Sequence, residues 1–374
     1  MRRFWIGCLW FSLVLAATPS SSQLTKIDPP KIEQLKSFLQ AHYLTPEDYV
    51  ISKFKDHDIV FLGEYHRIRH DPELVQALIP LLYKAGVHTL GFEFGVFEDQ
   101  SEVDRFLSAS AYEEALPRKF LFHGDPLWGY KEYLDIYRAA WQLNHSLPPG
   151  APRFRVLNLN YPNQRKVDVD KYMAQVVLDE VVAKKEKALI YCGMHHAFTR
   201  YHQPVYDFKK GSLIRLNDER LGNLVYKQVG NRAMTISLHL PWVSSKGWDA
   251  PEVRPVNGVI DEVMSKFQDT HVGFDVAGSP FERLPAADTY YAFGYPSFTL
   301  GEFTDGYIYQ GPFRDYQGVT VDPQFITLSN LKEAQEAVAV LAGAEASKQL
   351  ASPEIFQMAI QEDDNIERRV KHLQ

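Results

Sequence analysis

The sequence is poor in cysteine, with two in 374 residues. Cys8 lies in the apolar N-terminal stretch, so Cys192 is left alone in the rest of the chain and an intrachain disulfide there is excluded. Cys192 stands within an apolar run and is interpreted as a small core residue rather than a nucleophile. Lysine and arginine form no block or stripe, and the formal net charge is -7, which argues against a nucleic-acid-binding protein.

The motifs of several large enzyme classes are also absent. The chain has no glycine-rich dinucleotide fingerprint after a strand, no phosphate-binding P-loop, no H-E-x-x-H and no G-x-S-x-G. Dinucleotide enzymes, P-loop nucleotidases, zincins and ordinary α/β-hydrolases are therefore poor interpretations. Hydrophobic residues make up 45% of the chain and aromatic residues 13%, which is ample for a sizeable core.

The N-terminus has the pattern of a secretory signal peptide. Arg2 and Arg3 precede an apolar run over residues 4–17, and small and polar residues lead from there to Gln23. The pattern predicts a signal peptide at residues 1–22, with Gln23 as the first mature residue. An uncleaved anchor helix is the alternative, but the run is shorter than the roughly 20 apolar residues of a membrane span. We therefore expect an exported chain, periplasmic or secreted, with no transmembrane anchor after cleavage.

Strand and helix patterns alternate along the middle of the chain. Continuous apolar runs predict buried strands, and segments with helical spacing lie between them, at residues 71–85, 130–141 and 170–185. The strands are expected at residues 58–62, 89–94, 154–159 and 188–192. This alternation predicts an α/β fold with a mostly parallel sheet.

The C-terminal third gives weaker signals. Short strands are expected there at residues 233–240, 273–276 and 306–309, and helices at 329–342 and 353–373, while a further helix is expected near the N-terminus at 31–41. Pro, Gly and aromatic residues are dense between 241 and 323, which suggests long ordered loops. We expect one domain over residues 23–374, with a core at about 55–210 and an elaborated extension at 211–374.

Polar side chains follow the predicted strands, where the ligand site of an open α/β sheet lies. Glu64 and His66 come after the first strand, and Glu93 ends the second. Asn160 ends the third strand, and the pair His195-His196 follows the fourth. The sequence thus predicts one site at the carboxyl edge of the sheet. Since adjacent residues of an extended chain point apart, we expect one of the two histidines to enter it.

Glu64 and His66 are two residues apart, so an extended backbone would place both on one face. The carboxylate would then orient the imidazole as a general base for water. Alternatively, both would bind a metal, with Glu93 and a later histidine completing the set.

Structural interpretations of the same residues stay open. Glu64 would cap the next helix or pair with Arg67, and His66 would be a surface-loop histidine. Glu93 would form a structural ion pair with Arg67 or Arg69, because a lone buried carboxylate is costly.

The residues around this site resemble those of the ChaN-like proteins, in a wider grouping with the TIKI/TraB proteins and the erythromycin esterases. The resemblance begins at Leu62-Gly63-Glu64-Tyr65-His66 and covers roughly residues 55–200. It continues through Gly91-Phe92-Glu93, Val103-Asp104-Arg105-Phe106-Leu107, Trp128-Gly129-Tyr130 with Tyr133, Val156-Leu157-Asn158-Leu159-Asn160-Tyr161-Pro162 and Gly193-x-x-His196-Ala197.

The resemblance implies a mostly parallel sheet with helices on both faces. It also implies that Glu64, His66, Glu93 and His196 form the shared site, as catalytic residues or as metal ligands. The family's functions are divided among haem binding for iron uptake, metal-dependent proteolysis and metal-free hydrolysis at a Glu/His site. The sequence lacks the lipid-attachment cysteine of lipoprotein relatives, and its Glu-x-His spacing is one residue shorter than that of the esterases.

We expect an exported hydrolase that activates water on an ester or amide of a small molecule or peptide, with a divalent metal as an option. Arg67 or Arg69 would neutralise an anionic substrate group or a developing oxyanion, and His195 and Asn160 would contact substrate. The first alternative is a haem- or iron-binding protein, with haem as cofactor or partner. The second is a non-catalytic surface interaction module.

Overall fold

In a computed structural model, residues 28–162, 167–267, 271–363 and 365–374 are described. The predicted signal peptide and its cleavage point lie outside these residues. Nine strands are found in the described part of the chain: β1 (Ile59–Glu64), β2 (Thr89–Val96), β3 (Arg155–Asn160), β4 (Ala188–Gly193), β5 (Gln203–Asp207), β6 (Ser212–Asn217), β7 (Ala233–Leu238), β8 (Val272–Asp275) and β9 (Gly306–Tyr309).

Seven of these strands form one sheet in the order β3-β2-β4-β1-β7-β9-β8. All neighbours are parallel except β8, which pairs antiparallel with β9 at one edge. Ile59 lies level with Ala188 on one side and with Ala233 on the other, so β1, β4 and β7 begin in step. Their carboxyl ends consequently meet at one rim, as the sequence analysis predicts.

Helices cover both faces of the sheet. They are α1 (Pro29–His42), α2 (Pro46–Lys53), α3 (His70–Lys84), α4 (Gln100–Ser108), α5 (Ala115–Gly124), α6 (Lys131–Ser146), α7 (Val169–Val177), α8 (Met194–Ala197), α9 (Leu221–Val229), α10 (Val259–Lys266), α11 (Leu300–Phe303), α12 (Leu331–Ala342), α13 (Ala344–Gln349), α14 (Pro353–Asp363) and α15 (Ile366–Val370).

Alternation along β1 separates two apolar cores. Ile59 and Phe61 face one core with helices α1, α7, α9 and α10. Val60 and Leu62 face the other, with α3, α4, α5 and α6. Every residue of β1 is buried, because a parallel strand covered on both faces has no solvent side. The predicted α/β class, with a mostly parallel sheet between two helical layers, is confirmed.

The predicted strands agree with the structure to within about two residues, but two predictions differ from it. A single helix at 353–373 is wrong, since α14 ends at Asp363 and α15 begins at Ile366. The side chain of Asn365 caps the backbone N–H of Arg368 and starts a new helix. Strands β5 and β6, which form a separate antiparallel hairpin, were not predicted from the sequence.

Candidate active site

The carboxyl ends of β1 and β4 form part of the wall of a cleft of about 320 Å³. The cleft is lined by Glu64, Tyr65, His66, Arg67, Gly193, Met194, His195, His196, Leu240, Val243, Gly247, Trp248, Ala250, Glu252, Tyr291 and Arg369. The volume lies at the lower end of the roughly 300–1,000 Å³ that is typical of small-molecule sites.

Glu64 ends β1 with its carboxylate buried and fully engaged. Tyr133 donates to both carboxylate oxygens, at 2.8 and 2.9 Å, and the hydroxyl of Tyr191 donates to Oε2. Nδ1 of His66 lies 2.7 Å from Oε1. A buried carboxylate is costly unless hydrogen bonds replace its water, and these three partners do so. The burial of the Glu64 carboxylate is therefore explained without a helix-capping interaction or an ion pair with Arg67.

His66 follows β1 and is held by Glu64 in one tautomer. A carboxylate only accepts hydrogen bonds, so Nδ1 of His66 carries the proton and Nε2 keeps its lone pair. The imidazole packs edge-on to Phe94 and Trp128, with ring centroids 5.5 and 5.1 Å away. Its side chain is 37% exposed and lines the cleft. His66 is therefore an oriented base at the cleft rather than a mobile surface histidine.

Gly193 ends β4 directly beside this imidazole. A Cβ atom at Gly193 would lie 2.5 Å from Cε1 and 2.9 Å from Nε2 of His66, and 3.5 Å from Oε2 of Glu93. The backbone at Gly193 has φ -56° and ψ 141°, which any residue adopts. Glycine is needed here for the close approach of the imidazole, and His66 and Glu93 stand on either side of the space above it.

Glu93, on β2, accepts a 2.6 Å hydrogen bond from the backbone N–H of Gly193. Its Oε1 lies 3.3 Å from Nε2 of His196, whose Nδ1 lies 2.6 Å from Oδ1 of Asp170. Asp170 in turn accepts from Nη1 of Arg220, at 3.0 Å. These four side chains form a series of alternating acidic and basic groups that runs from Glu93 through His196, in the cleft wall, to the half-buried Arg220.

The pKa values of this series follow from its charges. Burial lowers the pKa of His196, but the carboxylates of Glu93 and Asp170 outweigh it, so the net pKa is raised. For Asp170, burial raises the pKa, and the charges of His196 and Arg220 prevail and lower it. The carboxylates of Glu93 and Asp170, one at each ring nitrogen, therefore favour the charged form of His196.

His195 contributes to the cleft as well. Its Nε2 lies 2.9 Å from the hydroxyl of Tyr291, and its ring packs edge-on to Trp248 at 5.4 Å. Burial and then the charges of Arg220 and His196 keep its pKa well below the usual value, so it is neutral. The expectation that one of the two histidines enters the site assumed an extended chain. Here α8 turns the chain by about 100° per residue, and both histidines line the cleft.

Arg67 has an unusual backbone at the cleft wall. Its φ of 75° is a left-handed conformation, rare for a residue with a Cβ. The backbone N–H donates to the hydroxyl of Tyr133 at 3.1 Å, and Nε donates to Tyr130 at 2.8 Å. The guanidinium lies 4.7 Å from the ring centroid of Trp128, which fixes its direction.

Two residues considered for substrate contact lie outside the cleft. Arg69 donates to Gln317 at 2.8 Å and lies 3.4 Å from Glu132, on a different surface. Asn160 ends β3 and accepts from the N–H of Tyr161 at 3.0 Å. Neither is a lining residue of the cleft.

Other lining residues came from distant parts of the chain and were not anticipated. The hydroxyl of Tyr65 donates to Glu252 at 2.7 Å and accepts from Arg369 on α15. Arg369 also lies over the Tyr65 ring, 4.9 Å from its centroid. Ile366 and Val370 of α15 pack with Ile68 in a small cluster, which brings the C-terminus to this wall. No local sequence signal indicates these long-range contacts.

The proposed metal set does not assemble as one ligand sphere. Across the four described stretches of the chain, no group of three or more His, Cys, Asp or Glu side chains is placed to share a metal ion. Glu64 is occupied by two tyrosines and His66, whereas Glu93 and His196 pair with each other. These donors do not fit a divalent cation, so no metal role is assigned to Glu64, His66, Glu93 or His196.

Within residues 28–162, 167–267, 271–363 and 365–374, no helix combines the length and apolar character required to cross a bilayer.

Comparison with known structures supports the fold. A succinoglycan biosynthesis protein is 11% identical over 75% of this chain and 95% of that one, with a TM-score of 0.52. A Bacillus cereus protein has 11% identity, coverage of 74% and 96%, and a TM-score of 0.44. ChaN of Campylobacter jejuni, solved with cofacially bound haem, has 13% identity, coverage of 55% and 90%, and a TM-score of 0.35. Only the first of these three, with a TM-score above 0.5, supports the fold, and its identity is too low to bear on function.

Comparison with curated proteins finds no match. A family model does match, over residues 50–169, and its description is haem-binding uptake, Tiki superfamily, ChaN. This segment runs from α2 to the start of α7 and includes Glu64, His66 and Glu93. Residues 50–169 therefore match the ChaN family of the Tiki superfamily, as the resemblance in the sequence indicated.

Proposed function

We propose that the protein is an exported hydrolase in which His66 activates a water molecule for attack on an ester or amide bond. One observation carries the proposal: the 2.7 Å contact between Glu64 and Nδ1 of His66 leaves the Nε2 lone pair at the wall of a cleft. This is the geometry that a general base requires, with a carboxylate orienting one ring nitrogen and the other available.

The reaction follows from the placement of the groups. Water donates a proton to Nε2 of His66 as its oxygen bonds to the carbonyl carbon, forming a tetrahedral oxyanion. The carbonyl reforms as the bond to the leaving alcohol or amine breaks, and the His66 imidazolium returns the proton to that leaving group. The products are a carboxylic acid and an alcohol or amine.

The neighbouring groups have supporting roles. The guanidinium of Arg67, fixed over Trp128, supplies positive charge for the oxyanion. Glu93 lies across Gly193 from His66 and favours the positive imidazolium that forms during the reaction. His196 lines the cleft and positions Glu93, and Asp170 and Arg220 hold His196 from outside the cleft.

The direct test is hydrolysis of a panel of p-nitrophenyl esters and peptide anilides by the chain from Gln23 onward. Turnover that is lost in His66→Ala and in Glu93→Ala, with the circular dichroism spectrum unchanged, supports the proposal. Activity that survives both substitutions contradicts it.

Haem binding is the second candidate function, favoured by the family match at residues 50–169. Haem would supply an iron centre, and its binding would require an iron-ligating side chain and an apolar wall. His66 fits as the ligand, with Leu240, Val243 and Trp248 as apolar lining. Tyr65 fits less well as an iron ligand, because burial raises the pKa of its hydroxyl and that hydroxyl already donates a hydrogen bond to Glu252.

A haemin titration followed by the Soret band distinguishes the two functions. Saturable one-to-one binding that His66→Ala abolishes, without ester turnover, would favour haem carriage. No specific binding, together with turnover, would favour the hydrolase. His196→Ala is the comparison variant, since both ring nitrogens of His196 already face carboxylates.

A further inference from the structure

The β5–β6 hairpin exposes apolar side chains beside the cleft. Phe208, Leu213 and Ile214 are all exposed, and Ile214 reaches 64%. The strand register shifts between Val205 and Tyr206, which leaves Ile214 without a cross-strand partner. An irregularity of this kind turns a side chain away from the regular alternation, and here it directs Ile214 to solvent.

Trp248 extends this apolar surface to the cleft. Its side chain is 56% exposed although it lines the cleft and packs against His195. Phe208 packs on Gly247, the residue before Trp248: a Cβ atom on Gly247 would lie only 3.1 Å from the Phe208 ring. Both aromatic rings pack on Tyr290, with centroid distances of 5.2 Å from Trp248 and 6.1 Å from Phe208. The hairpin tip and the cleft rim are therefore one surface, which we call the apolar rim.

Basic side chains surround the apolar rim. Lys209, Lys210, Arg215 and Lys246 are exposed there, against three acidic neighbours, Asp207, Asp249 and Asp288. Lys210 lies 3.8 Å from Asp207, and the side chain of Lys210 is 80% exposed. The whole chain carries a formal net charge of -7, whereas this surface carries four basic and three acidic side chains.

We propose that the apolar rim docks on a lipid bilayer that contains anionic headgroups. Tryptophan and aliphatic side chains partition into the interfacial region, and nearby lysines are attracted to an anionic surface. Ile214, Phe208 and Trp248 contact the acyl boundary, and Lys209, Lys210 and Lys246 contact the headgroups. A soluble anionic partner would match the lysines but would leave these apolar side chains exposed.

Docking in this orientation places the mouth of the cleft on the bilayer, because Trp248 belongs to both. The substrate class is accordingly an amphiphilic ester or amide that is drawn from the membrane. This statement of substrate class rests on the proposed hydrolase function, whereas docking itself does not.

The test measures vesicle binding of the purified protein by flotation, with phosphatidylcholine vesicles that contain or lack phosphatidylglycerol. We expect binding only with phosphatidylglycerol, weakened about ten-fold by Lys209→Glu combined with Lys210→Glu and by added salt. Ile214→Asp should also weaken binding about ten-fold, since it places a charge in the acyl boundary. Leu328→Asp is the matched control, at an apolar residue that is 84% exposed on a different segment.

Three outcomes would overturn docking: no binding to anionic vesicles, equal loss in Leu328→Asp and Ile214→Asp, or light scattering that shows the rim joining two copies of the chain. A separate measurement, the turnover of two esters, tests the proposed substrate class. Ile214→Asp should lower turnover of a vesicle-embedded ester and leave that of a water-soluble ester unchanged. Equal effects on both esters would contradict the substrate class, and no turnover of either by the wild type would contradict only the hydrolase.

Discussion

Gly193 and His66 are in such close contact that a Cβ atom on Gly193 would lie 2.5 Å from Cε1 of the imidazole. Gly193→Ala has no backbone conflict, so its effect is steric and falls on His66. We expect kcat/KM to fall about 100-fold, as for a catalytic group displaced by about 1 Å.

The control is a double-mutant cycle with His66→Ala. Removal of the imidazole gives the new methyl group room, so the loss of unfolding free energy from Gly193→Ala should shrink in that background. A coupling of about 0.5–3 kcal/mol is typical of residues in contact. Additive effects in urea unfolding would show that the two groups do not meet.

Tyr133 positions Glu64 and, through it, His66. Tyr133→Phe removes a hydroxyl that donates to both Glu64 oxygens and accepts from the N–H of Arg67. A hydrogen bond to a charged group contributes about 1.5–3 kcal/mol, and we expect that loss in unfolding free energy. The pH–rate profile should also change, because Glu64 loses the hydroxyl that holds it in place and its hydrogen bond to His66 is altered.

Tyr137→Phe provides the comparison on the same helix, since the Tyr137 hydroxyl donates to Asn158 and does not touch Glu64. It should lower stability and leave the pH–rate profile in place. An identical profile in Tyr133→Phe would assign Tyr133 to structure alone.

His196 makes stability dependent on pH. Its pKa is raised in the folded state, because the carboxylates of Glu93 and Asp170 outweigh burial. Its contribution is thus fully present below the unfolded pKa, about 6.5, and is lost as pH rises through the higher folded pKa. Urea unfolding of the wild type should show this loss, and His196→Gln should lack it. Parallel stability curves for the two proteins would contradict a charged His196.

Asp170 is the central carboxylate of the series that runs from Glu93 to Arg220. Asp170→Asn leaves His196 and Arg220 without their common partner, and breaking a buried pair costs about 3–5 kcal/mol of unfolding free energy. The adjacent Lys171 pairs with Glu219 on the surface, so Lys171→Ala should cause no measurable change. Equal midpoints of urea unfolding for the two variants would refute the structural importance of this series.

Local sequence patterns were sufficient to predict the parallel sheet and the rim where its strands end. Apolar runs bounded by Gly63 and Gly193 marked β1 and β4, and the polar residues after them mark the cleft. Asp170 and Arg220 were not predicted as site residues. The ion pairs of Asp170 with His196 and with Arg220 join parts of the chain that are distant in sequence. Tyr133 belongs to a stripe of apolar and aromatic residues at helical spacing, which is typical of a core-facing helix. This pattern does not show that the Tyr133 hydroxyl donates to Glu64.

The C-terminal region was harder to predict for another reason. The side chain of Asn365 ends one helix pattern and begins the next, so the sequence appeared continuous from 353 to 373. Arg369 reaches Tyr65 only because α15 folds back on the segment after β1. Contacts between residues so distant in sequence follow from the packed fold and not from local periodicity.

The central claim is that His66, oriented by Glu64, is the base that activates water. The most direct measurement compares ester turnover by the wild type, His66→Gln and Glu64→Gln, with urea unfolding alongside to verify folding. The account predicts a fall of about 10²–10⁴-fold in kcat for His66→Gln, the usual contribution of a general base, and a similar direction for Glu64→Gln. Turnover by folded His66→Gln at the wild-type rate would contradict it.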